Sequence, residues 1–207
     1  MMIKRYLRYA RYLIRYFFVE MPRGLDFTMR NKTTGISSEG SHGYALTPEK
    51  AFDQIINELD IKKSDNFIDI GSGKAGVPVY ASKYNFGKIA GVEVEEFLHL
   101  KAVKNLKILG LTSRIDLYLE DALKFDKYQE FNIYYLFNPF SYDVYQQVVD
   151  RIIESLDNSL RLNKNVVLIA YGDSDYEYIK KTNIFRLDYE SFDNIRNSRI
   201  HIWKIRK

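Results

Sequence analysis

The sequence predicts an α/β fold: a doubly wound sheet that is mostly parallel and ends in an antiparallel pair of strands. Short apolar stretches rich in β-formers alternate with segments of helical periodicity after residue 47. The stretch 66–76, Asn-Phe-Ile-Asp-Ile-Gly-Ser-Gly-Lys-Ala-Gly, has the pattern of an apolar strand that runs into a tight glycine-rich turn. The last two β-rich stretches are nine residues apart, too close for a parallel crossover, so we expect them to be antiparallel.

The composition indicates one domain whose positive charge is local. The chain has 207 residues, 46% of them hydrophobic, enough for one well-filled core and short for two. Its net charge is +4, but residues 1–24 contain six Lys or Arg and one Glu, which leaves 25 basic and 26 acidic residues elsewhere. The body is therefore nearly neutral, which makes nucleic acid an unlikely partner, because surfaces that track phosphates need a larger basic patch.

Cysteine is absent, which excludes disulfides and thiolate chemistry, and the three histidines are too scattered to suggest a metal site. No uncharged run in the first twenty residues is long enough for a transmembrane span or a signal-peptide core. We expect a cytoplasmic protein, with peripheral attachment to the membrane as an alternative.

Residues 1–20 predict a basic amphipathic helix. The basic residues recur at four-three-four spacing along one stripe, and apolar residues form a second stripe. Packing of the apolar stripe onto the domain is the favoured interpretation; contact with an anionic membrane surface, or with a nucleic acid or other acidic partner, is the alternative. The two stripes are Lys4, Arg8, Arg11 and Arg15, and Ile3, Leu7, Ala10, Ile14 and Phe17.

We predict a division at residue 47. Residues 1–46 comprise the helix and a loop, rich in Gly, Ser and Thr from residue 22, that could act as a lid. Residues 47–207 form the α/β domain, which opens with a helix capped by Thr47 and having Pro48 at its first position. Strands are predicted at 66–70, 88–94, 114–119, 131–137, 165–171, 184–189 and 199–205, and further helices at 77–84, 95–109 and 142–156.

Polar residues follow four successive strands, where parallel sheets bind their ligands. Asp69, Gly71 and Gly73 end the first strand. Glu93 ends the second, twenty-two residues after Gly71, where a carboxylate can accept hydrogen bonds from both ribose hydroxyls. Glu120, Asp121 and Ala122 follow the third strand, and Asn138-Pro139-Phe140 the fourth. Together these residues predict a site for a nucleoside-type ligand.

Gly71, Gly73 and Gly76 also satisfy G-x-G-x-x-G, so an NAD-dependent oxidoreductase is the alternative. Asp69 argues against it, because a carboxylate two residues before the first glycine would repel a pyrophosphate. The chain also leaves little length for a separate substrate domain. The same carboxylate suits a ligand that carries an ammonium group and a sulfonium.

Residues 44–206 resemble the class I, seven-stranded S-adenosylmethionine-dependent methyltransferases, which have Rossmann-like sheets. The resemblance rests on Gly71-Ser72-Gly73-Lys74, Gly91-Val92-Glu93 and Leu136-Phe137-Asn138-Pro139-Phe140, and extends to small bacterial methyltransferases and to seven-strand protein lysine methyltransferase cores. It implies S-adenosyl-L-methionine as cofactor, its methionine part held by Asp69, Gly71 and Gly73, its ribose by Glu93 and its adenine by Asp121. Other cofactor-binding positions implied are Tyr44, Thr47, Ser72, Ala122 and Asn138. The family's third loop glycine is replaced by Ala75.

The resemblance further implies methyl transfer to an N or O acceptor, whether on a protein, a glycan or a small molecule. Asn138-Pro139-Phe140 is similar to the motif of amino methyltransferases, in which the Asn carbonyl accepts a proton of the target nitrogen and the aromatic ring stacks on a planar acceptor. An adenine-type substrate is one possibility. His42, in a Ser-His-Gly loop, is the candidate base for an acceptor that must lose a proton.

Overall fold

The structure is a computed structural model that describes residues 10–29, 44–137, 141–156, 165–172, 176–194 and 196–206. Seven strands form one sheet in the order β3-β2-β1-β4-β5-β7-β6. The strands are β1 Phe67–Ile70, β2 Ile89–Glu93, β3 Asp116–Leu119, β4 Ile133–Leu136, β5 Val167–Tyr171, β6 Phe185–Asp193 and β7 Ser198–Ile205. The first five are parallel, and β7 is antiparallel to both of its neighbours. The predicted sheet, including its antiparallel pair, is confirmed.

Helices cover both faces of the sheet. The N-terminal helix, α1, is described from residue 10; it is α-helical to residue 15, continues as a π-helical turn over Tyr16–Glu20 and ends in the 3-10 turn Met21–Arg23. The others are α2 Glu49–Asn57, α3 Gly76–Ala81, α4 Glu96–Leu109, α5 Tyr142–Ser155 and α6 Tyr176–Lys181. In the described part of the chain no helix is both long and apolar enough to cross a membrane.

Alternate residues of the central strands feed two hydrophobic cores. Phe67 and Tyr135 face the core formed with α2, α3 and α4, and Ile68 and Tyr134 face the core formed with α5 and α6. Every residue of β1, β4 and β5 is buried, as expected for strands covered on both faces. The sheet is therefore a rigid support for whatever follows its strands.

Residues 25–29 and 44–47 pack beside α3 and α4 in the first of these cores, where they contribute Leu25, Phe27 and Leu46. The division of the chain at residue 47 stays a prediction.

Two local predictions are wrong. Thr47 does not cap α2: the cap position is Pro48, in an extended conformation with ψ 130°, and it makes no side-chain cap. The Thr47 hydroxyl instead lies 2.8 Å from the Tyr135 hydroxyl in the core, and this pairing satisfies two buried polar groups at once. The helix after the glycine turn is Gly76–Ala81 rather than 77–84, because the chain turns at Ser82.

The predicted packing of the apolar stripe of α1 is also wrong where the structure describes it. Ile14 is 59% exposed and Phe17 is 48% exposed, whereas Glu20 is buried. The Glu20 carboxylate accepts hydrogen bonds from the backbone N–H groups of Phe27 and Thr28, both 2.9 Å, and from Arg15 Nε, 3.0 Å. Satisfying these donors outweighs burial of the apolar stripe, so α1 turns part of its polar side inward.

Candidate functional site

The glycine-rich turn after β1 wraps round the end of β2. The N–H groups of Gly71 and Ser72 both donate to the carbonyl of Val92, each at 2.9 Å. Gly71 and Gly73 have positive φ angles of 80° and 55°. A Cβ on Gly73 would lie 2.4 Å from a carbon of the Tyr44 ring, so only glycine fits beneath that ring.

Ala75 also has a left-handed backbone, with φ 63° and ψ 30°. It stands where the resemblance places a glycine, and its methyl group is fully buried in the core. The turn therefore keeps the geometry that a glycine would allow, at the cost of some strain.

We expect Ala75→Gly to change the free energy of unfolding by less than about 1 kcal/mol. Relief of left-handed strain, roughly 1–2 kcal/mol, offsets the lost methyl contacts and the added chain entropy of glycine. Ala75→Val should lower it by about 3 kcal/mol or more, because a β-branched residue is strained at positive φ and the site has no room. Urea unfolding measures the free energy of unfolding of both variants. Equal stabilities would contradict the left-handed backbone conformation of Ala75.

Glu93 joins the turn to the end of β2. Its Oε2 accepts the N–H of Gly73 at 2.7 Å, and its Oε1 accepts the N–H of Glu95 at 2.8 Å. Burial raises the pKa of Glu93, an effect that the backbone donors oppose. Each carboxylate oxygen still has a second lone pair that a ligand hydroxyl could use.

A small cavity of about 20 Å³ lies beside this turn, under the Tyr44 ring. The Oγ of Ser72 is buried and has no hydrogen-bond partner among the residues that the structure describes. Burial raises the pKa of Asp69 well above its usual value, and the negative charge of Glu93 raises it further. A hydroxyl without a hydrogen-bond partner and a carboxylate without a countercharge, both judged among the described residues, together suit a ligand with donors and positive charge. The cavity is lined by Tyr44, Ala45, Leu46, Thr47, Asp69, Gly71, Ser72, Gly76, Val77, Tyr135 and Phe137.

The structure brings most of the expected cofactor residues together: five of them line this cavity, and Gly73 and Glu93 are joined next to it. Asp121 and Ala122 follow β3, which is separated from β1 by β2. The Asp121 Oδ1 accepts the N–H of Leu123 at 2.9 Å, which leaves its second oxygen for a ligand. Three strand ends at about 4.8 Å spacing span roughly 10 Å, so the row suits an elongated ligand.

The expected catalytic residues Asn138, Pro139, Phe140 and His42 lie outside the described residues. Phe137, directly before them, lines the cavity, and its ring centroid is 4.5 Å from that of Tyr171. In the described part of the chain, no cluster of three or more His, Asp or Glu side chains is arranged to hold a metal ion.

Lys74 is a site-adjacent residue that the sequence analysis missed. Its side chain is fully buried, and its Nζ donates to Asp26 Oδ1 at 2.5 Å and to the Met29 carbonyl at 2.8 Å. Burial lowers the pKa of Lys74, against the opposing effect of Asp26. Asn105 completes this contact by donating to the carbonyls of Asp26 and Lys74. No pattern in the sequence predicts that this lysine is buried, because most lysines are exposed.

Arg196, in the turn between β6 and β7, is a second residue without a sequence signal. It donates to the Leu46 carbonyl, and its guanidinium carbon lies 5.4 Å from the ring centroid of Phe137 and 5.5 Å from that of Tyr12. It therefore joins three separate parts of the chain, and two of the residues that it contacts, Leu46 and Phe137, line the cavity.

The sequence model of the ribosomal RNA adenine dimethylase family matches residues 44–172. Curated relatives include rRNA adenine N-6-methyltransferases of Clostridium perfringens and Streptococcus pneumoniae, each 26% identical over 108 residues, 52% of this chain. The match spans only 42% of the length of those relatives.

Solved structures share the fold. An RNA methyltransferase from Salinibacter ruber, in complex with S-adenosyl-L-homocysteine, has a TM-score of 0.60 at 20% identity and covers 78% of this chain and 94% of its own. The M1A22 tRNA methyltransferase TrmK of B. subtilis has a TM-score of 0.63 at 16% identity, with 79% and 68% covered. These similarities establish the fold.

The predicted class I methyltransferase is confirmed at the level of family and fold, and S-adenosylmethionine is the cofactor that this family implies. The prediction that nucleic acid is an unlikely partner is not supported, because the matching family is named for ribosomal RNA. Because the family match covers more than half of the sequence, including the glycine turn and all five parallel strands, the chain belongs to the ribosomal RNA adenine dimethylase family.

Proposed function

We propose that this protein is an S-adenosylmethionine-dependent methyltransferase whose acceptor is an adenine nitrogen in RNA. The observation that carries the proposal is the extent of the family match: residues 44–172 include the whole cavity lining and all four polar strand ends. The oxidoreductase alternative has no such support, and the buried carboxylate of Asp69 beside the turn disfavours a pyrophosphate.

The residues of the site fit the cofactor, which supplies a methyl group on a positively charged sulfonium. Asp69 and Ser72, whose hydroxyl has no hydrogen-bond partner within the described ranges, would hold the methionine part beside the turn. Glu93 would accept the ribose hydroxyls on its free lone pairs, and Asp121, with Ala122, would contact the adenine.

The acceptor would enter beside Phe137. The Asn138 carbonyl would accept a hydrogen bond from the target amine, and Phe140 would stack on the base, so that the two residues together orient the acceptor nitrogen. The nitrogen would form the new N–C bond as the bond between the methyl carbon and the sulfonium sulfur breaks, with S-adenosylhomocysteine as the leaving group, and one N–H proton would pass to solvent or to His42. Placement of the two reactants supplies most of the acceleration in such a reaction.

The full chain is incubated with radiolabelled S-adenosylmethionine and total bacterial RNA, and the RNA is then digested with nuclease. We expect the label in methyladenine. RNase-treated extract and a protein fraction are the controls. Label in protein or glycan but not in RNA would retain the methyltransferase and overturn the acceptor. Absence of label, together with no calorimetric binding of S-adenosylhomocysteine, would overturn both.

The affinity for S-adenosylhomocysteine should rise as pH increases from the usual carboxyl range toward neutrality. The raised pKa of Asp69 extends upward the pH range in which the free carboxyl is protonated, and a bound ammonium group favours the ionised carboxylate. Binding should therefore release a proton. Calorimetry in two buffers of different ionisation enthalpy measures the release, which Asp69→Asn should reduce; equal release by wild type and variant would contradict the assignment to Asp69.

A further inference from the structure

The exposed apolar side chains are concentrated on two neighbouring helices. Of fourteen large hydrophobic residues exposed in the described part of the chain, five lie on α1 with its final turn and five on α4. Apolar surface gathered in one place on an otherwise polar protein marks a site of interaction.

On α1 these residues form a stripe directed away from the domain. Ile14, Phe17, Phe18 and Met21 are all exposed, and the exposed fraction of Phe18 is 79%. The opposite side is held by the buried Glu20 carboxylate and its backbone donors. The domain therefore does not use the apolar stripe for its own packing.

The outer side of α4 is also apolar. Phe97, Leu100 and Ile108 are 47%, 59% and 42% exposed, whereas residues on the other side of α4 are buried in the core. The two helices meet where a Cβ on Gly24 would lie 3.3 Å from the Cδ1 of Ile108. We call the combined outer side of α1 and α4 the basic apolar face.

The charges of this face are of nearly one sign. Arg11, Arg23, Lys104 and Lys107 are exposed on the two helices, and Glu96 is the one exposed acid that the structure describes there. A second copy of the chain would place these cations against one another. RNA bases stack on aromatic rings, whereas seven of the ten exposed apolar residues on the two helices are not aromatic. Apolar anchors interleaved with cations match an anionic lipid surface, where rings enter the headgroup region and cations meet phosphates.

We propose that the basic apolar face binds the surface of an anionic lipid membrane. Phe18 and Leu100 insert between headgroups, and the flanking cations contact lipid phosphates. Such binding is reversible, weakens with salt and leaves the cofactor cavity inside the protein. It goes beyond the proposed catalytic function and does not depend on the acceptor.

Flotation of the full chain with phosphatidylcholine vesicles, with and without phosphatidylglycerol, tests the proposal. We expect partition about tenfold stronger on the anionic vesicles, and a loss of this difference in high salt. Phe18→Glu and Leu100→Glu should each lower partition about tenfold. Phe192→Glu is the matched control. Phe192 is 49% exposed on the edge strand β6, outside α1 and α4, and its replacement should leave the partition unchanged.

Circular dichroism and binding of S-adenosylhomocysteine should be unchanged in all three variants, which separates this test from that of the proposed function. The proposal is overturned by equal partition on neutral and anionic vesicles, or by equal losses for Phe18→Glu and Phe192→Glu. A dimer in sedimentation equilibrium that Phe18→Glu dissociates would assign the face to a second copy instead. RNA binding that Phe18→Glu abolishes would assign it to RNA.

Discussion

Glu93→Ala should weaken binding of S-adenosylhomocysteine by about 100-fold or more. The substitution removes the acceptor of the Gly73 and Glu95 N–H groups, each a charge-assisted bond that contributes roughly 1.5–3 kcal/mol. It also removes the carboxylate that would take the ribose hydroxyls, so the turn and the ligand lose the same anchor. Isothermal calorimetry at neutral pH measures the change.

Two further variants separate these effects. Glu93→Gln keeps one acceptor oxygen but places an NH₂ group against a backbone donor, and we expect an intermediate loss. Glu96→Ala removes an exposed acid from the first turn of α4 and should leave the affinity within about twofold. Wild-type affinity in Glu93→Ala would exclude Glu93 from the site.

Lys74→Met should lower the free energy of unfolding by about 3–5 kcal/mol. The Lys74 ammonium is fully buried and holds Asp26 and the Met29 carbonyl, so its removal leaves a largely buried carboxylate short of a partner. Lys101 remains 3.5 Å from Asp26 but is a longer and partly exposed contact. Urea unfolding followed by circular dichroism measures the loss.

Lys83→Met is the matched control. Lys83 is 58% exposed in its ion pair with Glu49, and such surface pairs contribute at most about 1 kcal/mol. The double substitution Lys74→Met with Asp26→Leu should regain part of the stability, since it removes both charges. Equal stabilities of Lys74→Met and Lys83→Met would show that the buried pair does not anchor the N-terminal segment.

The sequence predicts the sheet and the polar residues at the ends of its strands well, because both depend on local patterns. Apolar runs ending in Asp69 and Glu93 fix where the strands stop, and the short connection before Arg199 makes the last pair antiparallel. Periodicity alone cannot show which side of a helix faces the domain. In α1 that choice depends on Glu20, whose partners at Phe27 and Thr28 lie across a turn.

Buried polar contacts between distant segments account for most of what the sequence does not predict. Thr47 has the spacing of a helix cap, yet its hydroxyl pairs with Tyr135, eighty-eight positions away. Lys74 pairs with Asp26 across forty-eight positions, and neither residue belongs to a periodic pattern. Such contacts become visible only when the segments are brought together in space.

The Tyr44 ring covers Gly73, and its hydroxyl donates to the Phe27 carbonyl at 2.6 Å, in the segment that follows α1. Tyr44 thus connects the glycine-rich turn to the segment that follows the helix carrying Phe17 and Phe18. If a ligand that displaces this ring changes the affinity of the helix for a bilayer, then binding to the bilayer must change the affinity for the ligand by the same factor. Ligand binding in the pocket and binding to the membrane would then be thermodynamically coupled.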